Sequence, residues 1–458
     1  MFGGQTTASI APAPLWGRPD HAPVYRAAEV IFFIILLYLF QIFTPEIEQI
    51  DLSITAFAVQ ASKANTLNQF FWLAAAALLS LLILRQPERF LRTILGYLPL
   101  LLLMGYVLLS SNWAIVPSIS FRRAVLALII IYCLIITSIY VRSPRRMFFV
   151  LYAAFAVALI QSLIAATMGT SYTSLDEFRG FQNHKNTMGA IAGYAFITGL
   201  FIHRDLPGAV LKLANVVFLA AFVFILVIAK SKTAQQEILI IPVLTIVALI
   251  ASRLLRVSVG TTLMMFLTLL FLTYWILVFG FGIESDDVLG VIVADVTFTD
   301  RTIIWDYVSD KASERWLLGY GHMSFWAVGL DSVNLTAPVY FIRQLNQAHN
   351  GFLDIWLNLG IIGVLLFFPI LWRFDQALRI ARDSHPHTHN IAWGLMLYAI
   401  VHNLTESTIL LGQNVSWVIM LIVFVAAERA RYDHAQATAA PAMAHPAYGP
   451  ATMPAFRT

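Results

Sequence analysis

Long apolar runs, broken by short polar, charged or proline-bearing segments, set the pattern of this chain from residue 27 onward. A helix needs roughly 20 apolar residues to cross about 30 Å of hydrocarbon, and about twelve runs approach that length. They lie near 27–43, 67–84, 93–110, 121–141, 147–168, 187–202, 210–229, 236–252, 261–282, 351–372, 391–403 and 409–427, with 391–403 the shortest. The pattern predicts an all-α, polytopic membrane protein.

The connections between the runs alternate in charge. One set carries Arg18 and Arg26; Arg85, Arg89 and Arg92; Arg142, Arg145 and Arg146; Arg204 and Lys212; Arg253 and Arg256; Arg373, Arg379 and Arg382; and Arg429 and Arg431. The other set is acidic or mixed: Glu46, Glu48 and Asp51, then Asp176 and Glu177, then a long segment over 283–350. Basic loops stay on the cytoplasmic side, so both termini are expected inside and 283–350 outside. The expected organisation is a cytoplasmic segment over 1–26, a membrane domain over 27–432 with its large periplasmic loop at 283–350, and a disordered cytoplasmic tail over 433–458, rich in alanine and proline.

Composition agrees with lipid as the main solvent. The chain is 59% hydrophobic and only 12% charged, where soluble domains carry about 25%. The net charge of +4 is spread along the chain, which argues against a nucleic-acid partner. A single cysteine, Cys133, excludes an intramolecular disulfide. The first run ends at Thr44-Pro45-Glu46 without a small-x-small pattern, and so reads as a span rather than a cleaved signal.

The 283–350 loop is too long for a simple connector. Its aromatic residues, among them Trp305, Trp316, Phe325 and Trp326, can build a small core. Residues 302–315 read as an amphipathic helix with Ile303, Ile304, Tyr307 and Val308 on its apolar side.

Candidate chemistry gathers on the expected outer face. His349, followed by Asn350, stands where the loop meets the next span, and a histidine there can serve as a general base near neutral pH; the alternative is an interfacial histidine that helps cap the helix. The segment from Phe178 to Asn186 brings Arg179, His184 and Lys185 together, and arginine matches phosphate oxygens in bidentate fashion. Arg301 opens the loop helix, where the helix dipole does not favour a cation, and so asks for an anionic partner; Asp300 is one candidate. Arg122 and Arg123 sit at the outward end of a span, against the positive-inside bias. Glu406 lies in an outward turn as a pairing, capping or sugar-contacting residue. The His385–His389 cluster and the acidic run at 284–287 read more simply as solvated loops. No Walker, GxSxG or HExxH motif occurs.

These motifs resemble the O-antigen ligases and exopolysaccharide repeat-unit polymerases. His349-Asn350 followed by Gly360-x-x-Gly363 is similar to the histidine signature of that family's large periplasmic loop. The Phe181–Gly189 stretch with its central His-Lys-Asn, Arg301-x-x-x-Trp305, Gly319-Tyr320-Gly321, and the Ser110–Arg123 block with Trp113, Pro117 and Ser120 resemble further family segments. Where the family usually has glycine, Asp300 stands here. The resemblance implies about twelve helices and a metal-independent, inverting glycosyl transfer without a cofactor. It implies undecaprenyl-pyrophosphate-linked oligosaccharide as donor, a glycan acceptor, and an inner-membrane location with the site facing the periplasm. Membrane lipids and other polysaccharide export proteins are the further partners expected. His349 would be the catalytic base. Arg179, Arg301, Arg122, Arg123, His184, Lys185, Asn350 and Glu406 would contact substrate. Polymerase and ligase share these motifs and differ in acceptor. A flippase would instead line its path with charge inside the spans, and the spans here are nearly charge-free.

Overall fold

A computed structural model describes residues 22–44, 63, 65–169, 171–172, 177–182, 184–283 and 301–443. Among these, nine helices are long and apolar enough to cross a membrane. They are α1 (Ala22–Leu39), α2 (Thr66–Arg85), α3 (Pro87–Trp113), α4 (Pro117–Tyr140), α5 (Pro144–Thr167), α7 (Gly208–Ala229), α8 (Lys232–Leu255), α9 (Val259–Gly280) and α11 (Gly351–Ala381). Their starts follow local rules. Asn65, Ser143 and Ser258 accept hydrogen bonds from backbone N–H groups in the first turns of α2, α5 and α9. Pro87, Pro117 and Pro144 occupy first-turn positions that need no donor. The protein is thus all-α and polytopic.

The three remaining apolar runs also form helices, α6 (Lys185–Ile202), α12 (Pro386–His402) and α13 (Val415–Met443). They sit inside the bundle: every residue from 415 to 430 is buried, and α12 and α6 are wrapped by α8, α13 and each other. A helix surrounded by protein needs no lipid-facing apolar belt, so it can carry the glycines, tyrosines, histidines and arginines that lower its hydropathy. Residues 409–414 of the last run are turn rather than helix, and α13 extends to Met443, past the boundary expected at 433.

Ion pairs sort into two groups. Arg146–Glu29 (3.0 Å), Arg145–Asp205 (3.2 Å), His387–Asp205 (2.7 Å), Arg373–Glu428 (2.7 Å) and Arg431–Glu428 (2.9 Å) tie together segments of the basic set. Lys185–Glu177, Arg301–Glu406 and His349–Glu406 join segments of the other set. Among the described residues no ion pair crosses from one set to the other.

The second group sits with a small subdomain built on α10 (Arg301–Glu314). The face α10 buries is Ile304, Val308 and Ala312, spaced one turn apart, while Ile303, expected on that side, is exposed. These residues pack with Tyr320, Phe325, Trp326, Ala348 and Leu357 into a core separate from that of the bundle.

Below it α11 breaks. Gly360 adopts φ 64° and ψ −171°, a conformation open in practice to glycine alone. The opened backbone is satisfied by the loop. Tyr320 N donates to Leu357 O (2.9 Å), Gly321 N to Asn358 O (2.8 Å) and Ile361 N to Trp316 O (2.9 Å). The hydroxyl of Tyr106 on α3 donates to Leu359 O at 3.0 Å. Irregular backbone at membrane depth survives only when its polar groups are met in this way.

Candidate active site

The loop subdomain is held by the ends of α3 and α4. The Ser110 hydroxyl accepts from His322 N (3.0 Å), and the Ser120 hydroxyl donates to His322 O (2.8 Å). Val116 N donates to the Ser324 hydroxyl, and Trp113 Nε1 to Leu318 O. The guanidinium of Arg123 donates to the carbonyls of Met323 (2.6 Å) and Ala327 (2.8 Å). Both acceptors are left-handed non-glycine residues, with φ of 47° and 53°. Arg123 thus grips a turn of the loop, and Arg122 beside it is half-buried. The 110–123 block, whose Arg122 and Arg123 are expected to contact substrate, thus docks the subdomain.

That docking brings His349 to Glu406. Nδ1 of His349 stands 3.1 Å from Oε2 of Glu406. His349 itself is left-handed, φ 51°, and clamped on both sides. Ala348 N donates to Asp354 Oδ2 (2.9 Å) and Asn350 N to the Ser407 hydroxyl (3.0 Å). The other Asp354 oxygen accepts from Trp326 Nε1 at 2.8 Å. Asn350 caps α11, its side-chain oxygen accepting from Phe352 N and Leu353 N.

Glu406 is the hub. Its Oε1 receives Arg301 Nη2 (2.9 Å) and Asn186 Nδ2 (2.8 Å), and its Oε2 receives Gln347 Nε2 (3.2 Å) besides His349. Its side chain is 5% exposed, a position that orients its neighbours. Burial alone would raise its pKa, but the hydrogen bond and charge of His349, with His402 and Arg301, hold the carboxyl down at about 2. A carboxylate can only accept. In the neutral ring the Nδ1 proton therefore points at Glu406, and Nε2 keeps its lone pair. Gln347 Nε2 also lies 3.3 Å from His349 Nδ1, and with Nδ1 protonated its donor goes to Glu406.

The start of α6 supplies the third wall. His184 is exposed as its N-cap, accepting from Asn186 N at 3.1 Å. Lys185 pairs with Glu177 at 2.6 Å, and Asn186 is further held by the Ser231 hydroxyl (3.3 Å). Arg179 is 1% exposed, and its Nη1 donates to Gln182 O at 2.8 Å. It therefore folds the loop before α6 from inside. Asp300 and the acidic run 284–287 lie outside the described residues.

Of the residues expected from sequence, His349, Arg301 and Glu406 meet at one carboxylate, and Asn350, His184 and Lys185 flank it. Arg123 and Arg179 are engaged by loop carbonyls. Asn186, Gln347, Ser231 and Asp354 were not anticipated as members. Asn186 closes the Phe178–Asn186 segment and Gln347 stands two residues before His349; Ser231 and Asp354 carry no local signal, because their partners lie on other elements.

Residues 215–368, which include Arg301 and His349, match the family model described as O-antigen ligase. The chain is 25% identical over 134 residues to the exopolysaccharide production protein ExoQ of Rhizobium meliloti, covering 28% of this chain and 31% of that protein. It is 28% identical over 88 residues to a Rickettsia felis protein named as a candidate polysaccharide ligase, covering 19% of this chain and 21% of that one. Each similarity thus spans less than a third of the relative's length.

Proposed function

We propose that this chain, whose residues 215–368 match the O-antigen ligase family model, is an inverting, metal-independent glycosyltransferase of the bacterial inner membrane. It joins undecaprenyl-pyrophosphate-linked repeat units of an exopolysaccharide at the periplasmic face. The observation that carries this reading is the shared carboxylate: Glu406 holds a histidine on one oxygen and an arginine on the other. A base for the acceptor and a cation for the leaving group are thereby set side by side.

In the reaction, Nε2 of His349 takes the proton of an acceptor hydroxyl as its oxygen attacks the anomeric carbon. The bond from that carbon to the pyrophosphate oxygen breaks on the opposite face, and the electron pair leaves with the pyrophosphate. Arg301 meets the charge that develops there. A guanidinium has five donors, of which Glu406 engages one nitrogen. His184 and Lys185, exposed and half-buried at the start of α6, extend the polar surface for the donor, with Asn350 beside the base. Arg179 shapes the loop that presents them.

The similarity to an exopolysaccharide production protein supports an exopolysaccharide as the product, and polymerisation of its repeat units is the reading proposed here. The family description favours a second reading, transfer of finished glycan to lipid A core. Deleting the gene and examining cell glycans separates them. Single lipid-linked repeat units with polymer lost indicate a polymerase, intact lipid-linked polymer unattached to lipid A indicates a ligase, and unchanged glycans overturn both. Chelation by EDTA should leave transfer by the purified protein intact; strict dependence on a divalent ion overturns the metal-independent mechanism.

A further inference from the structure

Within the loop subdomain, three consecutive apolar residues face outward: Trp316 is 58% exposed, Leu317 44% and Leu318 39%. Their neighbours in the subdomain, Phe325 and Trp326, are buried. This run joins the break in α11. The run is tied to this break through the bond from Ile361 N to Trp316 O, and to the end of the spanning helix α3 through Trp113.

Two further tryptophans mark the same level. Trp113 ends the spanning helix α3 and donates its indole N–H to Leu318 O at 3.0 Å; Trp356 on α11 donates to Trp316 O at 3.2 Å. Tryptophan concentrates at membrane–water interfaces. The adjoining faces of α3 and α11 are apolar and exposed, at Leu102, Leu109, Leu365 and Phe368, so the run continues their belt. Arg315 precedes it, stacked 4.6 Å over the Tyr320 ring, a cation at headgroup level.

We propose that Trp316, Leu317 and Leu318 form an interfacial membrane anchor, seated in the headgroup–acyl boundary of phospholipid at the subdomain's end of the bundle. The anchor sets the subdomain's depth, and with it the depth of His349 on the outer part of α11. It does not depend on which reaction the site performs.

The test places a nitroxide at Leu317→Cys, and separately at Leu318→Cys, in a Cys133→Ala background. The full chain is held in phospholipid nanodiscs at one copy each. Collision with oxygen is compared with collision with a water-soluble nickel chelate. Leu365→Cys on the spanning part of α11 serves as the lipid reference, and Leu330→Cys, exposed elsewhere on the loop, as the water reference. The expected result is oxygen-favoured collision at 317 and 318, near the Leu365 value. A ratio equal to that at Leu330, or shielding from both reagents, overturns the anchor: the first means solvent, the second a protein partner.

Discussion

Nδ1 of His349 and Oε2 of Glu406 lie 3.1 Å apart although 57 residues separate them in the chain. The pair gives the histidine one tautomer and directs its free lone pair away from the carboxylate. General-base help is typically worth about 100- to 10,000-fold in rate, roughly 3–5 kcal/mol of barrier. His349→Ala should therefore insert, bind lipid-linked donor and transfer sugar slower by that factor. Purified protein with donor and acceptor gives the measurement; turnover within about twofold of wild type would leave the histidine as a structural residue.

Glu406→Gln tests the orienting role. An amide can donate to Nδ1 and so favour the tautomer with its proton on Nε2, which cannot accept from substrate. In a comparable triad the carboxylate-to-amide change lowers turnover by about 10,000-fold through this mechanism, and a loss on the order of 100-fold or more is expected here. Donor affinity should change far less than turnover. An unchanged rate would remove Glu406 from the chemistry.

The same carboxylate makes an acid-stability prediction. Its pKa falls from the usual 4.5 to about 2 on folding, so the folded state favours the ionised form. That contribution is fully present above pH 4.5 and is lost as pH drops through about 2. The thermal midpoint of the wild-type protein should lose ground to that of Glu406→Gln between those limits, and the difference should be constant above them. A gap that instead closes between pH 6 and 8 would assign the effect to another group.

Arg301→Lys keeps the charge and loses the planar fork. Lysine matches a carboxylate and a pyrophosphate less well at once. Donor binding should weaken and transfer should fall, with insertion unaffected. Wild-type donor affinity in this variant would make the arginine a partner of Glu406 alone.

Gly360→Ala should damage the fold. A Cβ there would collide with the backbone carbonyl of Leu317, and its φ is +64°. The left-handed backbone alone costs about 1–3 kcal/mol for a side-chain-bearing residue. Gly105→Ala in α3 meets nothing within 4 Å and serves as the control. The melting temperature of detergent-purified protein should drop for the first and hold for the second; equal stability would mean that the break in α11 is not required.

Orientation follows from charge alone and is open to labelling. Leu330→Cys in the loop, exposed at 68%, should react with an impermeant thiol reagent in intact spheroplasts, and Ala437→Cys should not. The reverse pattern would invert the topology.

Hydropathy alone pointed to an all-α membrane protein, and nine of its twelve runs match helices long and apolar enough to span, because lipid leaves a helix no alternative to a long apolar run. It could not rank α6, α12 and α13 as interior, since burial against protein and burial against lipid call for similar residues. The motifs also pointed to His349, Arg301 and Glu406, each on its own chemistry. Sequence could not say that Glu406 is the common partner of the other two, or that Arg123 and Arg179 turn inward to loop carbonyls. Charge type is a property of a residue, whereas the partner a charge finds depends on distances between elements far apart in the chain. The break at Gly360 shows both sides. Glycine at that position was plain in the sequence, but its use was decided by residues 316–321, whose backbone meets the opened helix only once the subdomain has docked.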